Sequence, residues 1–165
     1  MPATQLDRTV DVTDQLMVFT IEEQRYAVRL PVVERVVRAV EITSLPKAPE
    51  IVLGVINAQG RIIPVVNMRR RFRLPEREID PSDHIVIART ARRTVALIVD
   101  TVSHVVPCTD AQVVASETIL PGLEHVEGVL KLPEGMILIH DLDRFLSLEE
   151  EHVLEEAMKP GEPSP

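Results

Sequence analysis

The segment from Leu45 to Phe72, LPKAPEIVLGVINAQGRIIPVVNMRRRF, constrains the fold more than any other part of the chain. Pro46 and Pro49 fix φ and impose an extended entry. Glu50 to Leu53 is expected to form a short helix, and Gly54 to Ala58 reads as a strand. Gly60 supplies the positive φ of a tight turn at Gln59-Gly60, after which Arg61 to Val66 returns as a second strand. Pro64 has no N–H to give to a ladder, so this strand is expected at a sheet edge or beside a bulge. Asn67 to Phe72 is expected to be a helical turn. The segment is poor in acids, bases and nucleophiles and contains no classical catalytic constellation. It is suited to packing and to being gripped, which points to a binding module.

Composition narrows the class further. A chain of 165 residues suits one unit or two small subdomains sharing a core. Aromatic residues make up only 2% and Trp is absent, so the core must be aliphatic. Valine dominates it, and valine favours pleated surfaces. The lone Cys108 excludes an internal disulfide and fits a reducing compartment. No charged start followed by an apolar run signals export, and the longest apolar runs are too short to span a bilayer. A net charge of -8 argues against sequence-independent binding to phosphate backbones.

The rest of the chain reads as short strands. Residues 1–14 form a polar arm. Gln15 to Ile21 and Arg25 to Leu30 are strands joined at Glu22-Glu23-Gln24. Pro31 stops the second strand or starts a helical turn, which passes into a strand near Val37 to Ile42. Leu74 to Ser82, with Pro75 and Pro81, is the best internal linker. Beyond it, His84 to Arg89 and Thr94 to Val99 flank Ala91-Arg92 as a hairpin. Val102 to Val106 adds a strand. Val126 to Leu132 and Gly135 to His140 make a second hairpin, and Asp141 opens a short helix as its N-cap. Leu148 to Met158 is an acidic amphipathic helix, expected to dock on its own protein, and the tail after it is expected to be disordered. The architecture is therefore all-β, in two small barrels: residues 15–76 and 81–147, with 148–165 as helix and tail.

Chemistry-bearing residues do not converge. His84, His104, His125, His140 and His152 lack metal-ligand spacing. Asp100 with His104, or His140 with Asp141 and Asp143, could be imagined as a site, but Asp100 reads as a strand end and Asp141 as a cap. No nucleophile elbow, phosphate loop or Cys-x-x-Cys is present. An enzyme is not expected, nor any cofactor or metal. Arg69, Arg70, Arg71 and Arg73 could contact phosphate in the manner of a small nucleic-acid-binding barrel. The scattered Phe19, Tyr26, Phe72 and Phe145 provide no stacking platform, so a solvated basic face is the preferred reading.

The stretch Ile51-Val52-Leu53-Gly54-Val55-Ile56-Asn57-Ala58-Gln59-Gly60-Arg61-Ile62-Ile63-Pro64-Val65-Val66-Asn67-Met68-Arg69 resembles the signature of the CheW-like chemotaxis coupling proteins. Val95 to Val102 is similar to the family's second-barrel strand and following turn. Glu127-Gly128-Val129 through Met136 to Leu142 is similar to its closing hairpin and helix start. The likeness runs over residues 15 to 148.

The resemblance implies two SH3-like five-stranded β-barrels with short helices and a C-terminal helix. It implies an adaptor that bridges the cytoplasmic tips of chemoreceptors to the regulatory domain of the histidine kinase CheA. It implies a cytoplasmic protein recruited to receptor arrays, without nucleic acid, membrane insertion or cofactor. A CheW-like scaffold in a non-motility pathway is the alternative. On the same basis, Val33, Arg35, Ile56, Asn57, Gln59, Gly60, Ile63 and Val65 are expected at or near partner surfaces. From the residues alone, Ile56, Ile63 and Val65 could equally be core, and Asn57 could satisfy backbone groups of the turn. Three positions depart from the family pattern. Gln59 stands where Arg is usual, Arg35 where Glu is favoured, and Asn67 where Asp is usual. If the first two family positions form an ion pair, this chain has lost it, since Arg35 and Gln59 could share only a charge-assisted hydrogen bond.

Overall fold

The first strand, β1 (Asp14–Ile21), is apolar at every position from Leu16 to Phe19 because both of its faces are covered. Leu16 and Val18 point into one apolar cluster, and Met17, Phe19 and Ile21 into another. In the computed structural model, which describes residues 14–109, 113–115, 126–133 and 135–159, that double burial organises the whole chain. The strands that follow are β2 (Gln24–Arg29), β3 (Val33–Arg38), β4 (Val52–Ala58), β5 (Arg61–Val66), β6 (His84–Arg89) and β7 (Thr94–Val99). Then come β8 (Thr101–Cys108), β9 (Val113–Ala115), β10 (Val126–Leu132) and β11 (Gly135–His140). The helices are α1 (Met68–Arg71) and α2 (Leu148–Met158), with single 3-10 turns at Leu30–Val32 and Leu142–Arg144.

Two sheets result. One has six strands in the order β8-β1-β2-β11-β10-β9, and the other has five in the order β3-β6-β7-β5-β4. Pairing is antiparallel except for β11 with β2 and β5 with β7. The five-stranded sheet closes on itself: Thr43, beyond β3, exchanges both backbone hydrogen bonds with Val55 of β4, at 2.9 and 2.8 Å. Gly54 makes this approach possible, since a Cβ there would lie 2.3 Å from the Thr43 carbonyl oxygen.

The all-β expectation holds, but the division into residues 15–76 and 81–147 does not describe how the strands assemble. β1 and β2 leave the first stretch to pair with β8 and β11, while β6 and β7 from the second stretch complete the sheet of β3, β4 and β5. Strand pairing follows apolar register rather than the Pro-containing stretch. The first sheet also carries a sixth strand, the three-residue β9.

Local expectations shift in three places. Pro31 starts a 3-10 turn, and the β-branched run pairs with β6 from Val33 onward, earlier than the strand expected near Val37 to Ile42. In place of the helix expected over Glu50 to Leu53, Glu50 and Ile51 form a turn and Val52 and Leu53 already belong to β4, with the Val52 amide donating to the Pro49 carbonyl at 2.9 Å. Pro64 lies on an interior strand, but the parallel ladder from β5 to β7 pairs only Val65 and Val66, beginning one residue past the proline.

Each sheet wraps a core of its own. Leu16, Val18, Ala27, Leu130, Ile137 and Ile139 fill the first. Ile56, Ile63, Val65, Ile85, Ile87 and Ala96 fill the second. The largest cluster lies between the sheets and draws on Phe19, Tyr26 and Val28 from one and Val66, Val86 and Leu97 from the other. All the Phe and Tyr side chains, scattered in sequence, meet in this layer around buried His140. Tyr26 stacks on Phe72 at 4.8 Å and Phe72 meets His140 at 4.5 Å, distances typical of favourable ring pairs. Burial pushes the Tyr26 phenol up from its ordinary range.

A polar hub crosses the edge of the same seam. Asp100, at the junction of β7 and β8, accepts from both Arg69 and Arg77 and from the Glu22 amide. Arg69 also pairs with Glu22, and Arg77 with Asp83 at 2.7 Å. Glu22 and Glu23 both sit at positive φ, 51° and 68°, uncommon for side chains with a Cβ, and the contact to Asp100 steadies that turn. The expected solvated face of Arg69, Arg70, Arg71 and Arg73 is thus only partly found. Arg69 and Arg71 are 11% and 15% exposed and turn to acids of their own chain, because those acids neutralise them at the seam.

Partial burial opposes ionisation of Asp100, but the Glu22 amide and the two guanidinium groups outweigh it and hold the carboxyl below its usual range. A depressed folded pKa contributes stability above the unfolded value and loses it as pH falls through the folded one. Asp100→Asn is therefore expected to be less stable than the parent at neutral pH. The gap should close as pH falls below about 4, measured by thermal melts across pH. A gap that persists unchanged into strong acid would contradict the hub. Gly54→Ala is expected to cost about 1–3 kcal/mol through overpacking against Thr43. Ile63→Glu, which forces a charge into the five-stranded core, should cost about 4 kcal/mol or more in urea titration. An unshifted midpoint for either variant would refute the packing described.

Candidate protein-interaction site

The expected partner-surface residues separate into two groups. Ile56, Ile63 and Val65 are core, at 2%, 2% and 0% exposure, because alternate positions of β4 and β5 face the barrel interior. Asn57, Gln59, Gly60 and Arg35 are exposed and Val33 is half-buried. The Asn57 side chain accepts from the Gly60 amide at 2.9 Å and so satisfies the turn. Gln59 and Gly60 carry positive φ of 56° and 85°, with nothing within 4 Å of a Cβ placed on Gly60.

An ion pair that the sequence reading missed brings these exposed residues together. Arg61, just past the turn, reaches Glu34 between Val33 and Arg35 at 2.7 Å. Glu34 also accepts from Thr94 Oγ1 at 3.3 Å. The hydrogen bond from Arg61 is the main cause of a Glu34 carboxyl held below its usual range. The β3 stretch and the β4–β5 turn therefore form one exposed end of the five-stranded barrel, and Ile62 stands 53% exposed beside them. The ion pair found at this end of the barrel is Glu34–Arg61, not a contact between Arg35 and Gln59. Glu34 was visible in sequence, but its partner lies 27 residues away. No local signal marks such a pair.

The third departure has a local effect. Asn67 caps α1, accepting from the Arg70 amide at 3.0 Å as an Asp would. Its amide nitrogen also donates to Glu76 at 3.2 Å, which a carboxylate could not do.

Next to the barrel end lies a cleft of about 440 Å³ between the two sheets. Arg29 and Glu127, joined as an ion pair, stand on the six-stranded side, and Arg89 and Ala91 on the other. Pro31, Val32 and Leu142 provide apolar lining. Val32 in the cleft is the chain neighbour of Val33 at the barrel end, and the charge of Arg89 adds to the lowering of the Glu34 carboxyl. His140, Asp141 and Asp143, imagined from the sequence as a site, also line this cleft, and each is engaged in contacts of the fold. His140 is 2% exposed among the aromatic rings, Asp141 caps the Leu142–Arg144 turn, and Asp143 accepts from the Ala91 amide at 2.7 Å. Among the described residues no three His, Cys, Asp or Glu side chains group as metal ligands would, and no helix is long and apolar enough to cross a membrane.

Comparison with known proteins fits this geometry. The family model for the CheW-like domain matches residues 15–150. The chain is 30% identical to the chemotaxis protein CheW of Rhizobium meliloti over 138 residues, covering 82% of this chain and 89% of the relative. It is 31% identical to the chemotaxis protein CheW of Thermotoga maritima over 132 residues, covering 80% and 87%. The crystal structure of the scaffolding protein TtCheW from Thermoanaerobacter tengcongensis superposes with a TM-score of 0.77 at 29% identity, over 84% of this chain and 96% of that one. The two sheets are therefore the two SH3-like barrels of that fold, and the chain belongs to the CheW-like family of chemotaxis scaffold and adaptor proteins.

Proposed function

We propose that this protein couples chemoreceptors to the histidine kinase CheA by binding the receptors' cytoplasmic tips and the kinase's regulatory domain. The observation that carries the reading is the pairing of two unlike surfaces on one body. The cleft, which combines apolar Pro31, Val32 and Leu142 with charged Arg29, Arg89 and Glu127, supports docking of an amphipathic helix from a receptor tip. The barrel end at Val33, Arg35, Asn57, Gln59 and Gly60 offers a polar surface with exposed Ile62, suited to a barrel of like fold on the kinase. Ile56, Ile63 and Val65 support that surface from beneath.

The energetics suit an adaptor. Micromolar binding needs only about 8 kcal/mol, and a standard interface buries about 1,600 Å² in total. Weak contacts gain strength when many copies are held in one array. The protein acts in the cytoplasm, recruited to arrays at the inner face of the membrane. It holds its partners side by side and transforms no substrate.

The test is direct binding of purified protein to a chemoreceptor tip fragment and to the kinase regulatory domain, by calorimetry and co-sedimentation. Each is expected to bind alone. Gln59→Arg, in an exposed turn, is expected to change affinity for one partner while the melting temperature stays put. A fall of several degrees with affinity untouched would remove Gln59 from the interface, and failure of both partners to bind would overturn the reading.

A further inference from the structure

The family match ends at residue 150, yet α2 runs on to Met158 and is built into the molecule. Ser147 and Glu150 form a capping box that starts the helix. Leu154 is fully buried in the layer between the sheets, with Met158 packed against it. Glu150 pairs with Arg71 of α1. Glu151 is 7% exposed and faces Arg93, its Oε1 lying 3.6 Å from Nε. A buried carboxylate left without a cation is strongly unfavourable, so the seat of Arg93 and the position of α2 determine each other.

Arg93 belongs to the turn between β6 and β7, which is closed by its own hydrogen bonds. Thr90 Oγ1 accepts from the Arg92 and Arg93 amides at 3.2 and 3.0 Å, and the Thr90 amide donates to the Arg93 carbonyl at 2.8 Å. The same turn carries Ala91, a lining residue of the cleft, whose amide donates to Asp143. The turn is thus held twice, by Asp143 beside the cleft and by Glu151 on α2.

We propose that α2 sets the position of the cleft wall at Ala91 through the Glu151–Arg93 pair. Both are positioning residues for the helix that docks there, an inference that rests on the cleft's reading as a receptor groove. A turn braced by its own bonds moves as a unit, so a shift at Arg93 reaches Ala91.

The test compares the full chain with Glu151→Ala and with Glu151→Gln, which keeps shape and removes the charge should the first variant fold poorly. Backbone amide resonances are followed without partner, and affinity for a chemoreceptor tip fragment is measured alongside. The expected result is displaced Ala91 and Arg92 amide signals and about fivefold weaker binding, the lower range of coupling between sites. Both should recover in the charge-swapped pair Glu151→Arg with Arg93→Glu. Unmoved Ala91 signals in a folded variant, or displaced signals with unchanged affinity, would overturn the proposal. Should the parent itself not bind the fragment, the receptor reading falls, and the Ala91 signals alone decide whether α2 positions the wall.

Discussion

Both barrels depend on a single apolar layer that neither could bury alone. β1 gives Leu16 and Val18 to the six-stranded core while Met17, Phe19 and Ile21 face the other sheet. β6 does the same in reverse, with Ile85 and Ile87 inward and Val86 and Ala88 in the shared layer. Burying apolar area is the main favourable term in folding, at about 25 cal/mol per Å². A barrel separated from its partner would expose the largest of the three clusters to water. The two barrels are therefore one cooperative body, and the cleft between them inherits its shape from the packing beneath it.

Polar groups fix how the two halves face each other. The aromatic rings around His140 give the layer directional contacts that aliphatic side chains lack. Asp100, at the crossover from one sheet to the other, gathers Arg69, Arg77 and the turn at Glu22, so its ion pairs span the seam at its edge. α2 adds a further set through Arg71 and Arg93. An adaptor has to present two surfaces in a constant relation, and these contacts restrain the rotation that would spoil it.

Much of the fold was legible from the residues. The hairpin at Ala91-Arg92, the cap at Asp141, the helix Leu148–Met158 and the tight turn at Gln59-Gly60 are short-range events, governed by turn chemistry, capping and periodicity. The candidate surface was half legible. Asn57, Gln59 and Gly60 announce an exposed turn, but nothing local tells whether Ile63 or Ile62 faces outward, since the answer depends on which sheet face the barrel closes over. The pairing of Glu34 with Arg61, the convergence of Arg29, Arg89 and Glu127, and the gathering of four distant aromatic rings had no sequence signal at all.

By itself the sequence determined the strand-rich class, the aliphatic character of the core and the family likeness, because β-branched alternation and glycine- and proline-marked turns act over a few residues. Only the tertiary structure decided which strands share a sheet, which arginines are consumed by internal acids and where a cleft opens. Those outcomes come from contacts between residues tens of positions apart. Their energies arise only when the chain has closed and water has left the layer between the barrels.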